Sequence, residues 1–88
     1  MNIIYSRLAL KDVKKVKDEK LKLALLELIN DLKRAENLLD VNGIKKMSGH
    51  PDAYRIRIGD YRLGVYCSNN EVTIARFVKR NDIYKLFP

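Results

Sequence analysis

Two alternating segments on either side of Gly59-Asp60 indicate a β-hairpin in the second half of the chain. Tyr54 to Ile58 alternates apolar residues with arginines, and Tyr61 to Cys67 is a second strand-like run. A period of two is the pattern of a half-buried strand, and a Gly-Asp pair between two such runs is typical of a two-residue hairpin loop. Turn residues at Ser68 to Asn70 precede the β-branched run Glu71 to Val78. The sequence therefore predicts an antiparallel meander of three strands.

The first half of the chain has the period of an α-helix. Apolar residues recur there at alternating spacings of four and three, which predicts a long helix over about Glu19 to Glu36. An amphipathic pattern over Leu8 to Val16 predicts an earlier, shorter helix, and Asn2 to Tyr5 predicts a short N-terminal strand. A last helical turn is expected at Ile83 to Leu86. The long helix spans fewer than three heptads, which favours packing on a sheet of the same chain over a coiled coil.

Composition excludes several classes of protein. The chain of 88 residues is long enough for one domain, which we place at residues 1–88, and 47% hydrophobic with 33% charged residues is the balance of a folded protein. Cys67 has no second cysteine to pair with, and one cysteine with one histidine, His50, cannot form a zinc site. We therefore expect neither a disulfide-stabilised fold nor a metal or other cofactor.

The sequence contains no signal for a membrane or for export. Its apolar runs are far shorter than the roughly 20 residues that cross a bilayer. The segment from Met1 to Leu10 also lacks the continuous apolar stretch of a signal peptide. We therefore expect a cytoplasmic protein with no membrane partner.

Positive charge is concentrated in the second half of the chain, within a formal net charge of +7. Residues 1–40 hold nine basic and seven acidic side chains, whereas residues 41–88 hold nine basic and four acidic ones. Five of the seven arginines lie in the second part, and a guanidinium group matches phosphate oxygens in a bidentate manner. The charge indicates a polyanionic partner, with the alternative that excess charge only keeps a small domain soluble.

The predicted hairpin brings three arginines to one face of the meander. With Gly59-Asp60 as the loop, Arg57 lies opposite Arg62, and Arg55 shares their face. Like charges directly opposite each other destabilise a sheet, and a bound anion would remove that conflict. The alternative is that the arginines form the polar side of a half-solvated sheet.

The second loop of the meander adds aromatic side chains to this prediction. With Asn69-Asn70 as the loop, Tyr66 and Phe77 fall on the arginine face, where the bases of a single-stranded nucleic acid can stack. Arg76 falls on the apolar face in this register, so a β-bulge or a sheet edge is expected near it.

The segment from Tyr54 to Arg62, preceded by Lys45 to Gly49 and followed by Val78 to Tyr84, resembles the RelE/ParE toxin superfamily of type II toxin–antitoxin systems. The resemblance implies a RelE-like α+β fold with an N-terminal strand, a helical hairpin, a three-strand meander that completes a four-strand sheet, and a short C-terminal helix. It also implies a cognate antitoxin as partner. RelE-type members cleave mRNA in the ribosomal A site by transferring the phosphoryl group to the adjacent 2′-OH. The implied partners are therefore mRNA and the ribosome, with operator DNA contacted only through the antitoxin complex.

The resemblance also assigns site residues. Five residues match the family's active-site positions: Arg55, Arg57, Arg62, Arg80 and Tyr84. Residues expected to contact RNA or the ribosome are Lys45, Lys46, Tyr66, Phe77 and Lys79. Guanidinium groups can stabilise the extra charge on a pentavalent phosphorane, and a tyrosine can stack on the nucleotide.

The general base stays open at this point. Characterised RelE proteins can carry lysine at the positions of Arg55 and Arg57, and arginine, unlike lysine, effectively cannot lose its proton. The general base would then be Tyr84, a nearby lysine (Lys45, Lys46 or Lys79), His50 or a ribosomal group.

Two other functions compete with mRNA cleavage. One is a ParE-like toxin that inhibits DNA gyrase without cutting RNA, and the other is a catalytically inactive family member that only binds its antitoxin. Arginines together with the terminal Tyr84 at the matching positions favour a ribosome-dependent mRNA endoribonuclease that inhibits translation.

Overall fold

A five-stranded sheet forms the body of the protein in a computed structural model that describes all 88 residues. The strands are β1 (Asn2–Tyr5), β2 (Ile44–Lys46), β3 (Ala53–Ile58), β4 (Tyr61–Ser68) and β5 (Glu71–Lys79). They lie in the order β1-β5-β4-β3-β2, and every pair is antiparallel except β1 with β5. The predicted meander and N-terminal strand are confirmed.

The expected count of four strands is wrong because Ile44–Lys46 forms an additional edge strand. It pairs with β3 through Ile44 with Ile56 and Lys45 with Arg55. Three residues between two turns are too few to show a period of two, so the sequence pattern does not reveal this strand.

Three helices accompany the sheet: α1 (Arg7–Lys15), α2 (Glu19–Arg34) and α3 (Ile83–Leu86). The Ser6 hydroxyl accepts from the amide of Ala9 at the start of α1, and the Asp18 carboxylate does the same for the first amides of α2. α2 ends two residues earlier than predicted because Ala35 adopts an extended backbone, and a 3-10 turn follows at Leu38–Asp40. No helix has the length and apolar composition needed to cross a membrane.

The predicted register of the first hairpin is confirmed. Ile56 pairs with Leu63 and Arg57 with Arg62 across the turn at Gly59-Asp60. Because side chains alternate between faces, Ile56 and Leu63 are fully buried towards α2 while the arginines lie on the other face.

A β-bulge at Ala75 changes the register of the second hairpin. Val65 pairs with Ile74 as predicted, but Gly64 pairs with Arg76, which leaves Ala75 as the extra residue of β5. The bulge expected near Arg76 is therefore present. It also places Phe77 opposite Leu63 in the core, where it is 1% exposed. The prediction that Phe77 lies on the arginine face is wrong, because one inserted residue reverses the alternation after it.

Arg76 is held at the bulge by Asp12 of α1. Its guanidinium donates from Nε and Nη2 to the Asp12 carboxylate at 2.8 and 3.0 Å, and the amide of Phe77 donates to the same carboxylate at 2.9 Å. The hydrogen bond to Asp12 raises the pKa of Arg76, although burial alone would lower it. Asp12 thus joins α1 to β5 at the point where the ladder is interrupted.

The sheet carries a core on each face. The larger core fills the space between the sheet and the first two helices, and its fully buried members include Leu32, Ile56, Leu63, Val65 and Ile74. The smaller core lies on the arginine face under α3 and contains Met47, Ala53, Ile83 and Phe87.

Replacement of Asp12 by alanine is expected to lower the free energy of unfolding by about 2–4 kcal/mol, because it leaves a half-buried guanidinium without its carboxylate. The amide of Phe77 would also lose its acceptor. Urea denaturation followed by circular dichroism measures this. The matched control is Asp31→Ala, which removes an exposed ion pair with Arg34 and is expected to cost at most about 1 kcal/mol. Equal losses in the two variants would contradict the role given to Asp12.

Candidate active site

A pocket of about 700 Å³, open to solvent, lies on the face of the sheet opposite the first two helices. The residues that line it are Gly43, Ile44, Lys45, Arg55, Arg57, Arg62, Arg80, Asn81 and Tyr84. Five of the nine are cationic, and none is acidic. The structure therefore brings together all five predicted active-site residues and one of the predicted RNA-contacting lysines.

Strand alternation and register position four of the cations. Arg55 and Arg57 alternate on β3 with core residues, Arg62 lies opposite Arg57 on β4, and Lys45 lies opposite Arg55 on β2. Each charged position is therefore fixed by buried neighbours on the same strand, such as Ile56. The pairing of the strands therefore sets the backbone positions of the cluster.

Gly43 lines the edge of the pocket, and its backbone lies close to β3. Its carbonyl accepts from the amide of Arg57 at 3.1 Å, and its backbone has a φ of +78°, which favours glycine. A Cβ at this position would lie 3.3 Å from both Cβ and the carbonyl oxygen of Arg57. The dipeptide Asn42-Gly43 indicates a turn, and only the structure shows that this turn also contacts the site.

Arg62 occupies the most electrostatically unfavourable position of the cluster. Its Nη1 donates to the carbonyl oxygens of Gly59 and Tyr61, both at 2.9 Å, which orients the guanidinium group. Burial, followed by the charges of Arg57, Arg80 and Arg55, lowers the pKa of Arg62 below its usual value. Because no acidic residue lines the pocket, the cluster lacks counter-charge, and an anion bound there would be stabilised by it.

The chain end brings the remaining two predicted residues to the pocket. The amide of Arg80 donates to the carbonyl of Asp60 at 2.8 Å, which ties the end of β5 to the β3–β4 turn. Tyr84, on α3, is 64% exposed, and Cζ of Arg55 lies 5.4 Å from the centre of its ring. This is a cation–π contact, and it leaves much of the ring free for a ligand.

The other residues predicted to contact RNA lie outside this pocket. Tyr66 is half-buried, with its ring centre 4.9 Å from those of both His50 and Phe87. Lys79 pairs with Tyr61, whose ring packs against Phe77 on the helix side of the sheet. Phe77 is in the core.

Lys46 lies just beyond the arginine pocket. It lines a smaller cavity of about 360 Å³, to which Arg55 and Tyr84 also contribute. His50 does not line the arginine pocket either, and its Nδ1 accepts from the amide of Asp52 at 3.1 Å within a loop. Of the ionisable groups considered as a base, only Lys45 and Tyr84 line the pocket.

Known proteins resemble this chain along its length. The family model described as the ParE toxin of the type II toxin–antitoxin system parDE matches residues 3–84. Toxin RelE3 of Methanocaldococcus jannaschii is 32% identical over 89 residues that cover the whole of both chains.

Two solved structures share the fold. In the RelB–RelE antitoxin–toxin complex from Methanococcus jannaschii, the matching chain has a TM-score of 0.81 and 27% identity, over 97% of this chain and 99% of that one. The YoeB dimer from Staphylococcus aureus gives a TM-score of 0.72 and 26% identity, over 90% and 94% of the two chains. The resemblance first seen in the segment from Tyr54 to Arg62 thus extends over the whole chain. The chain belongs to the RelE/ParE toxin superfamily and is a toxin of a type II toxin–antitoxin system.

Proposed function

We propose that this toxin is a ribosome-dependent mRNA endoribonuclease. The observation that supports the proposal is the pocket itself, in which five cations without a single carboxylate surround a space beside an exposed tyrosine. Such a site suits a phosphodiester with an adjacent base. A solubilising role for the charge would not require that the cations converge, nor that Arg57 and Arg62 face each other on adjacent strands.

The proposed reaction is a transfer within the RNA strand. The 2′-oxygen attacks the neighbouring phosphorus, the bond to the 5′-oxygen breaks, and a cyclic phosphate and a free 5′-OH result. Charge accumulates on the non-bridging oxygens and then on the leaving oxygen. In this proposal the charge on the non-bridging oxygens is stabilised by Arg55, Arg57 and Arg62, which line the pocket. The charge on the leaving oxygen is stabilised by Arg80.

Proton transfer in this site has few possible participants. The four arginines stay protonated, since a guanidinium effectively does not deprotonate in proteins. Lys45 and Tyr84 are the other lining residues with ionisable side chains. We propose that one of these, or a group of the ribosome, accepts the proton of the 2′-OH, and that a second such group or water gives a proton to the leaving 5′-oxygen.

The shape of the pocket explains the proposed dependence on partners. It is open to solvent and built on strand ends and one short helix, so it has no second wall to hold a flexible strand. The ribosome would supply that wall. An antitoxin is the other proposed partner, because the relative of known structure was crystallised as a RelB–RelE antitoxin–toxin complex. Contact with operator DNA would then occur only through the antitoxin.

Inhibition of DNA gyrase is the second candidate function. It is favoured by one observation, that the matching family model is that of ParE toxins. Expression of the toxin in growing cells separates the two, since an endoribonuclease arrests translation first and a gyrase inhibitor arrests replication first.

Replacement of Arg80 by alanine is expected to lower the rate of mRNA cleavage about 10²–10³-fold, the usual loss for one charge-stabilising donor. Cleavage is measured by primer extension on mRNA in a purified translation system. Arg34→Ala is the matched control and is expected to cleave normally, because Arg34 is an exposed arginine at the end of α2 and does not line the pocket. Full cleavage by the Arg80 variant, or replication arrest with intact mRNA for the wild type, would rule out the proposal.

Inorganic phosphate is expected to stabilise the folded toxin. At ten times its Kd, a ligand that binds only the native state adds about 1.4 kcal/mol to the free energy of unfolding. Arg57→Gln is expected to abolish this increment while raising stability without phosphate by a few tenths of a kcal/mol, because Arg62 then faces no like charge. Thermal unfolding in phosphate and in chloride of equal ionic strength measures both. An unchanged phosphate effect in the variant would contradict the pocket as the anion site.

A further inference from the structure

Phe87 occupies the place where the side chain of residue 64 would lie. A Cβ built on Gly64 would be 2.7 Å from Cδ2 and 2.8 Å from Cγ of Phe87, closer than real Cβ atoms approach. Gly64 is buried in the interior of β4, and Phe87 is 2% exposed. Glycine weakens a strand interior, and it occurs there where another group approaches the backbone closely. The approaching group here is the ring of Phe87.

The contact holds α3, which is too short to be stable alone. The helix has four residues, and Asp82 at its start makes no side-chain cap. Two of its neighbouring side chains enter the smaller core, Ile83 at 0% and Phe87 at 2% exposure, and the amide of Phe87 donates to the carbonyl of Ile83 at 2.8 Å. The helix is therefore fixed to the sheet by one buried side chain at each end.

Tyr84 lies between these two buried side chains and points away from them. It is 64% exposed, and its ring contacts the guanidinium of Arg55 in the site. The other lining residues near the chain end, Arg80 and Asn81, precede the helix. The position of the Tyr84 ring therefore depends on the docking of α3, whereas the arginines of β3 and β4 do not.

We propose that Phe87, packed on Gly64, is a positioning residue for Tyr84. This rests on the proposed endoribonuclease activity, in which Tyr84 contacts the substrate. Phe87 does not line the arginine pocket and acts through the backbone of α3. Gly64 contributes by lacking a side chain, so that the ring can approach the strand.

A double-mutant cycle tests this relation. Phe87→Ala removes the ring that packs on Gly64. Gly64→Ala keeps the ring but puts a methyl group in the space that the ring occupies. Each is expected to lower kcat for mRNA cleavage about 10–100-fold, the loss typical of a displaced active-site group, with little change in KM. If Gly64→Ala acts only by displacing Phe87, the kcat of the double variant will equal that of Phe87→Ala. Independent effects would instead multiply the two losses in kcat. Leu86→Ala, an exposed neighbour in the same helix, is the control and is expected to cleave normally.

A spectroscopic measurement separates positioning from general destabilisation. The side-chain protons of Arg55 are expected to be shifted upfield by the Tyr84 ring in the nuclear magnetic resonance spectrum of the wild type, and to lose that shift in both single variants. The phosphate-dependent rise in Tm is expected to persist in all variants, since the strands hold the arginines. Multiplicative losses in the double variant, or an unchanged Arg55 shift in Phe87→Ala, would overturn the proposal. If the wild type does not cleave mRNA, the endoribonuclease function fails, and the Arg55 shift still decides whether Phe87 positions Tyr84.

Discussion

The buried carboxylate of Asp12 is the interaction on which the arrangement of the sheet depends. It accepts two hydrogen bonds from Arg76 and one from the backbone of Phe77, so a single side chain of α1 holds β5 where its ladder is interrupted. The extra residue of the bulge, Ala75, moves each later side chain of β5 to the opposite face of the sheet from the one predicted. Phe77 therefore enters the larger core, and Val78 packs towards the smaller core under α3. The end of β5 consequently delivers Arg80 and α3 to the arginine face.

Electrostatics and packing are separated in this fold. The pocket concentrates five cations without a carboxylate, and after burial the charges of Arg57, Arg80 and Arg55 further lower the pKa of Arg62. The opposing energy is small compared with the buried apolar residues that alternate with the arginines, such as Ile56 and Leu63 at 0% exposure. The sheet can hold like charges together on one face because its larger core lies on the other face.

Local rules predict the parts of the fold that short segments determine. The Gly59-Asp60 loop fixes the pairing of Arg57 with Arg62, and the apolar period fixes α2 to within two residues at its end. The face of Phe77 could not be predicted because the bulge depends on a partner 65 residues away in α1. Ile44–Lys46 is too short to show a period. The contact of Gly64 with Phe87 joins a strand interior to the chain end, and no spacing in the sequence signals it.

The residues of the site come from two parts of the fold that differ in how many buried residues hold them. Three of its arginines, Arg55, Arg57 and Arg62, belong to the central hairpin, whose position cannot change without disturbing the larger core. Its tyrosine belongs to a helix of four residues, held by two side chains in a cluster of four. Local opening of a protein occurs first where few buried contacts must be lost. The positions of the hairpin arginines therefore depend on the larger core, whereas the position of the Tyr84 ring depends on the small cluster that holds α3.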